Sequence, residues 1–163
     1  MPDVFDTAKR SDVMSRIRGT GNKTTELALA MAFRTAGIKG WRRHALLKVK
    51  LKPMRGAPVD AKQAVLLIKP DFVFRKERVA VFVDGCFWHQ CPLHSKVPNS
   101  NTVFWAQKLR RNVERDRATD KALKAVGWRT FRLWEHELKD VHNTPLLRRI
   151  ANRVAQSRAC RQR

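Results

Sequence analysis

The chain has 163 residues, 43% hydrophobic and 30% charged, which suits one folded domain with its own core and excludes a disordered chain. Thirty-five Lys and Arg against 14 Asp and Glu leave a formal charge of +21, a surplus that repels itself and points to a polyanionic partner, nucleic acid before membrane. There is no apolar run of transmembrane length and no hydrophobic leader in MPDVFDTAKRSDV, so a cytosolic protein is expected, and three cysteines there argue for a metal site over disulfides.

Asp12 to Arg18 places Val13, Met14 and Ile17 on one helical face, before the breaker cluster Gly19-Thr20-Gly21-Asn22. Thr24 or Thr25 can then cap a helix that runs to about Ala36 and stops at Gly37. In residues 38 to 69, Val49, Leu51 and Val65 to Ile68 read as strand pieces interrupted by Pro53, Gly56 and Pro58. Lys39 to Lys62 carries eight Lys or Arg and one acid, a basic loop suited to phosphate. Pro70 to Phe74 and Arg78 to Val83 form a predicted β-hairpin around Arg75-Lys76-Glu77. A loop rich in Cys, His, Pro and Trp spans Gly85 to Asn101. Thr102 can cap a long helix from about Val103 to Val126, ended by Gly127. Trp128 to Trp134 reads as a strand, and Pro145 opens a final helix with Leu146, Leu147, Ile150 and Val154 on one side. The order predicts a single mixed α/β domain around one sheet.

Four constellations carry possible chemistry. Asp71, after Pro70, and Asp84, at the end of the next strand, are two carboxylates able to hold Mg²⁺ with water and a substrate phosphate; ordinary turn and strand-end acids are the plain alternative. Cys86, Cys91 and His94 fall within nine residues, and with His136 they make a Cys₂His₂ set of the closed, structural zinc type. His89 either acts as a general base with a near-neutral pKa or replaces His94 on the zinc. Phe87, Trp88 and Trp105 can be wedges that enter a base step, or simply core. On the long helix Asn112 and Asp116 share a face. Asp116 can pair with His89, and Lys108, Arg110, Arg111, Arg115 and Arg117 offer cations to phosphate.

The strings PDFVF, VAVFVDGCFWHQCPLHSKVP, FWAQKLRRNVERD and GWRTFRLWEHEL, in that order, together with VFDTAKRSDVMSRIRGTGNKTTE, resemble the very-short-patch repair (Vsr) endonucleases over roughly residues 3 to 140. The resemblance implies a restriction-endonuclease-like α/β fold, a mixed central sheet flanked by helices with a zinc-stapled loop. It implies nicking of double-stranded DNA 5′ of the T in a T:G mismatch, of the kind left when 5-methylcytosine deaminates. Carried over by position, Asp71 and the Val83 carbonyl hold Mg²⁺, His89 is the general base and Asp116 its partner. Glu26 matches an acidic residue of the restriction-type site. Cys86, Cys91, His94 and His136 fall on or near the zinc positions, and Phe87, Trp88 and Trp105 enter the DNA; Asn112 and Arg115, from the reading of the long helix, are further expected DNA contacts. Asp84, also counted in the catalytic group, stands where the best-known members have a His, and His136 replaces a Cys. The lysine usual in restriction nucleases is absent, Cys86 taking its place, which favours a His-based mechanism.

The expected layout is one domain over 1–163, with a DNA-contacting arm at 1–22, a basic insertion at about 48–68 and a basic helix at 144–163. Mismatch-repair proteins are expected as further partners, and a monomer suffices for one nick. Two other classes compete: a restriction-like nuclease without mismatch preference, and a non-catalytic zinc-stapled nucleic-acid-binding module. The second would not need Asp71, Asp84, His89 and Asp116 together, because acids on a DNA face repel phosphate unless a metal intervenes.

Overall fold

A computed structural model describes residues 25–51, 64–99, 101–143 and 145–159. The expected N-terminal arm, the helical stretch at 12–18, the middle of the basic insertion and Cys160 lie outside the described residues. In chain order the elements are α1 (Glu26–Thr35), β1 (Arg42–Arg43), β2 (Leu47–Lys50), β3 (Val65–Ile68), β4 (Phe72–Phe74), β5 (Val79–Asp84), α2 (Thr102–Ala125), β6 (Arg129–Trp134), a 3₁₀ stretch (Glu135–Asn143) kinked at Asp140, and α3 (Pro145–Ala159).

The central sheet has the order β1-β4-β5-β6 and is mixed. β1 and β5 each run antiparallel to β4, with Phe72 opposite Val81, while β6 runs parallel to β5, with Phe82 opposite Arg132. A parallel pair needs a long crossover, and α2 supplies it. The ends of the basic insertion pair as a separate two-stranded hairpin, Leu47 opposite Ile68 and Lys50 opposite Val65.

Alternation along the strands builds two layers of core. Phe72, Phe74, Val79, Val81, Phe131 and Leu133 face Leu29 and Phe33 of α1 and Ile150 and Val154 of α3. Val73 and Ala80 face the other way, against Leu47, Val49 and Ile68 of the hairpin and Ala122 and Leu123 of α2. A strand covered on both sides needs an unbroken apolar run, and Val79-Ala80-Val81-Phe82-Val83 is one. The mixed α/β architecture expected from the element order is therefore present.

Helix ends follow the glycines. At α1, Gly37 has φ +65°, and Ile38 N–H reaches back to the Phe33 carbonyl at 2.8 Å. At α2, Gly127 has φ +80°, and Trp128 N–H bonds the Leu123 carbonyl at 2.9 Å. Both are left-handed stops of the kind Gly provides without a Cβ penalty. The helix starts differ from expectation. Thr25 precedes α1 without a side-chain cap bond. Thr102 is the first residue of α2, after Asn101 at φ +52°, so it caps nothing. Asn tolerates that left-handed turn better than most side chains.

Phe33 is fully buried and packs its ring 5.2 Å from Phe72, 5.6 Å from Phe74 and 6.1 Å from Trp41, joining α1 to the sheet. Phe33→Ala is expected to cost about 4 kcal/mol, because the rigid layer around it cannot collapse into the hole. The measurement is a urea melt, where the midpoint should fall with an unchanged slope.

Candidate functional site

Three clusters of ligand-type side chains gather around the carboxyl end of β5. The first joins α1 to the start of β4. Glu26, buried in the first turn of α1, takes His44 Nε2 at 2.8 Å and Arg43 Nη2 at 2.6 Å on the same oxygen, Oε2. An acid at this end of a helix is favoured by the helix dipole. His44 has φ +50°, an uncommon value for a non-glycine residue, and its N–H donates to the Asp71 carbonyl at 3.1 Å. Val83 N–H donates to Asp71 Oδ2 at 2.7 Å. Glu26, His44 and Asp71 each offer a ligand atom within 4.8 Å of the others. Burial raises the Asp71 carboxyl from 3.8 to about 6; the Val83 amide opposes this and the Glu26 charge adds to it.

The second cluster holds the expected base. His89 Nδ1 lies 2.5 Å from Asp116 Oδ2 on α2 and 3.7 Å from Asp84 Oδ1. Asp84 is buried, and Arg132 of β6 binds both its oxygens through Nη1, at 2.7 and 2.9 Å. Burial still pushes the Asp84 carboxyl above its ordinary value, against the Arg132 charge. Asp71 and Asp84 therefore sit in separate clusters, where a shared carboxylate pair was expected. Their partners differ: Val83 N–H takes Asp71 beside Glu26 and His44, while Arg132 of β6 engages both oxygens of Asp84.

The third cluster is soft. Cys86 Sγ lies 3.2 Å from His136 Nδ1, Cys91 Sγ lies 3.6 Å from the same nitrogen, and Cys91 Sγ lies 3.7 Å from His94 Nδ1. The sulfur–nitrogen edge of a tetrahedral zinc site with ordinary bond lengths is about 3.6 Å. Burial raises the Cys86 thiol from its ordinary value. The loop is wound tightly, with His89 N–H on the Gly85 carbonyl at 3.2 Å and Cys91 N–H on the Cys86 carbonyl at 2.9 Å. That winding turns His89 toward α2 and sends Cys86 and Cys91 to His136.

The aromatics form one group. Phe87 lies 5.0 Å from Trp88 and 5.4 Å from Trp105, and Lys108 Nζ sits 5.2 Å over Trp88 and 5.3 Å over Trp105. Trp105 is buried, so here it is the platform, while Phe87 and Trp88 are half-buried. Asn112 donates to the Trp88 carbonyl at 3.1 Å, so its amide holds the loop to α2, where a DNA contact was expected. Arg115 is exposed on α2.

Sequence reasoning missed His44, Arg43, Arg132 and Phe104. His44 and Arg43 lie in a generally basic stretch that gives no local signal. Arg132 did leave one, a cation in the middle of the apolar strand Arg129–Trp134. Phe104 is exposed and packs 5.4 Å from Trp105.

A sequence profile of the family DNA mismatch endonuclease Vsr matches residues 2–94. The type II nicking enzyme V.NmeAIP of Neisseria meningitidis serogroup A is 33% identical over 158 residues, 96% of each chain. The DNA mismatch endonuclease Vsr of Escherichia coli K12 is 34% identical over 141 residues, 85% of this chain and 77% of that protein. The type II nicking enzyme V.NaeI of Lentzea aerocolonigenes is 57% identical over 70 residues, a match that spans 43% of this chain and 42% of that protein.

The raised carboxyl of Asp71 has a consequence for stability. Its proton is held more tightly in the folded chain than in the unfolded one. The stabilisation this gives is complete below about pH 3.8 and is lost as the pH rises through about 6. Asp71→Asn keeps the shape and removes the charge. In the absence of divalent metal it should exceed the parent in stability by about 2 kcal/mol at pH 8, a figure discounted for partial exposure. At pH 4 the two should nearly coincide. Guanidinium melts at the two pH values check this, and an equal gap at both would refute it.

Proposed function

Because the chain belongs to the DNA mismatch endonuclease Vsr family and is a DNA endonuclease, we propose that it nicks one strand of duplex DNA at T:G mismatches, 5′ of the mispaired T. The reaction uses Mg²⁺ and serves very-short-patch repair of deaminated 5-methylcytosine. The observation that carries this reading is the His89–Asp116 contact at 2.5 Å, made by the loop that leaves β5 just beyond the Val83–Asp71 hydrogen bond. A base and a buried carboxylate group thus stand at one strand end, as phosphodiester hydrolysis requires.

His89 donates Nδ1–H to Asp116, so Nε2 carries the lone pair and takes the proton from the attacking water. Asp116 fixes that tautomer and stabilises the imidazolium once it forms, the role a carboxylate plays behind a catalytic His elsewhere. Asp71 and the Val83 carbonyl would hold Mg²⁺, with Glu26 on the same side. The donor set fits: a buried carboxyl whose ionised form burial disfavours gains from a cation beside it, and hard oxygens suit this ion. The chemistry Mg²⁺ supplies when bound is positive charge beside the scissile phosphate. Arg43 and His44 balance the charge of Glu26 and orient it.

Cys86, Cys91, His94 and His136 would hold a structural Zn²⁺. Two thiols and two imidazoles at tetrahedral edge distances support this assignment, and it leaves His89 free for catalysis. Phe87 and Trp88, propped on Trp105, are the rings that meet a base step at the wobble pair. Unstacking is cheaper there than in matched DNA. The surface cations hold phosphate on either duplex and add affinity without discrimination.

The test is nicking of end-labelled duplexes that differ only in T:G against T:A, with Mg²⁺ or with chelator. One cut 5′ of the T, dependent on Mg²⁺ and much slower on matched DNA, is the expected result. Equal cutting of both duplexes would leave a general nuclease. Asp71→Asn should abolish the cut while keeping duplex affinity within about twofold, because asparagine keeps the shape and loses the charge.

Elemental analysis should find about one zinc per chain, lost in Cys86→Ala and in His136→Ala. Zinc kept in His94→Ala but lost in His89→Ala would exchange the roles of the two histidines.

A further inference from the structure

We propose that Arg132 is the positioning residue of the His89–Asp116 pair, clamping the carboxylates on either side of the imidazole into one fixed arrangement. Its guanidinium leaves the middle of β6 and lies 4.6 Å from the centre of the Phe82 ring, the residue opposite it in register. From there it reaches three acids on two elements. Nη1 binds Asp84 Oδ1 and Oδ2 at the end of β5, Nε binds Asp120 Oδ2 at 3.0 Å, and Nη2 lies 3.4 Å from Asp116 Oδ1. Nη2 also reaches the Asp116 backbone carbonyl at 3.5 Å. The other oxygen of Asp116 is the one that holds His89 Nδ1.

The arrangement has two physical consequences. First, Asp84, Asp116 and Asp120 would repel one another in a partly desolvated space, and Arg132 is the cation that contacts all three. Asp120 Oδ1 is buried without a hydrogen-bond partner, so that carboxylate leans on Arg132 through its other oxygen. Second, both acids near His89 Nδ1 are tied to one rigid planar fork, which fixes which of them receives the imidazole. Free of Arg132, Asp84 at 3.7 Å would compete with Asp116 at 2.5 Å for the same N–H and rotate the ring. The guanidinium nitrogens are all engaged with these acids, so Arg132 acts through His89 and Asp116 and does not touch the phosphate.

The inference rests on the reading of His89 as the base, and the experiment separates the two. Single-turnover nicking of a T:G duplex is measured for the parent, Arg132→Met, Arg132→Lys, His89→Ala and the double variant His89→Ala/Arg132→Met, with circular dichroism to confirm folding. Arg132→Met should slow the cut by about 100-fold, as a misplaced catalytic group does, with half-saturation by DNA unchanged within about twofold. Arg132→Lys keeps the charge but loses the fork, and should lose about tenfold. A residue that acts through His89 costs nothing further once His89 is gone, so the double variant should match His89→Ala; a general structural role would multiply the two losses.

Arg132→Met cutting within about threefold of the parent, beside an inactive His89→Ala, overturns the proposal and leaves the His89 reading standing. A raised half-saturation concentration with an unchanged rate overturns it in favour of a DNA contact. A fully active His89→Ala overturns both readings. If Arg132→Met does not fold, Arg132→Lys decides alone, and a parental rate there overturns the proposal.

Discussion

Strand β5 has neighbours on both edges and protein on both faces, and the chemistry of the molecule hangs from its far end. Its hydrogen bonds to β4 and β6 fix the positions of Val83 and Asp84 to within the tolerance of a sheet. Val83 then sets Asp71 through one N–H, and Asp84 faces Arg132. The loop that leaves β5 carries Cys86, Phe87, Trp88, His89 and Cys91 in a few tight turns. If the apolar run from Val79 to Val83 slipped by one residue, each of these groups would change sides. Rigid strands are the usual way to hold reacting groups within the small errors that catalysis tolerates.

The charge balance explains why so few acids lie inside so basic a chain. At +21, the chain as a whole attracts phosphate. Acids at the site work against that attraction, and each is answered locally. Glu26 has Arg43 and His44, and Asp84, Asp116 and Asp120 share Arg132. Asp71 lacks an ion pair of that kind among the described contacts, and burial lifts its carboxyl to about 6. The exception is also the residue expected to meet a metal.

Much of this was legible in the sequence because it is written in local signals. Strand alternation marked β4, β5 and β6, and Gly37 and Gly127 marked the helix ends. The spacing of Cys86, Cys91 and His94 marked the soft cluster, and the four-residue step from Asn112 to Asp116 put both on the face that meets the loop. What stayed hidden depends on contacts between distant segments. Nothing near His44 announces that a left-handed backbone brings it to Glu26. Asp84 read as half of a metal pair because nothing near it in sequence announces Arg132, 48 positions on, which engages both its oxygens. Asn112 read as a DNA contact because an amide on a basic helix gives no hint of the Trp88 carbonyl opposite it.

The parallel pairing of β5 with β6 has a consequence in time. Cys86 and His136 are 50 positions apart, and Asp84 and Arg132 are 48 apart. Neither contact can form until the whole of α2 has been made and has crossed over the sheet. Closing so long a segment is among the slower events in folding, since its entropy must be lost before any distant contact offsets it. On a ribosome, the strand that ends in Asp84 would emerge several seconds before β6, at roughly 5–20 residues per second. Throughout that interval Cys86 and Asp84 would lack the partners that β6 and the turn after it supply. Arg132 and His136, which brace the loop and its histidine, thus arrive after the residues that they brace.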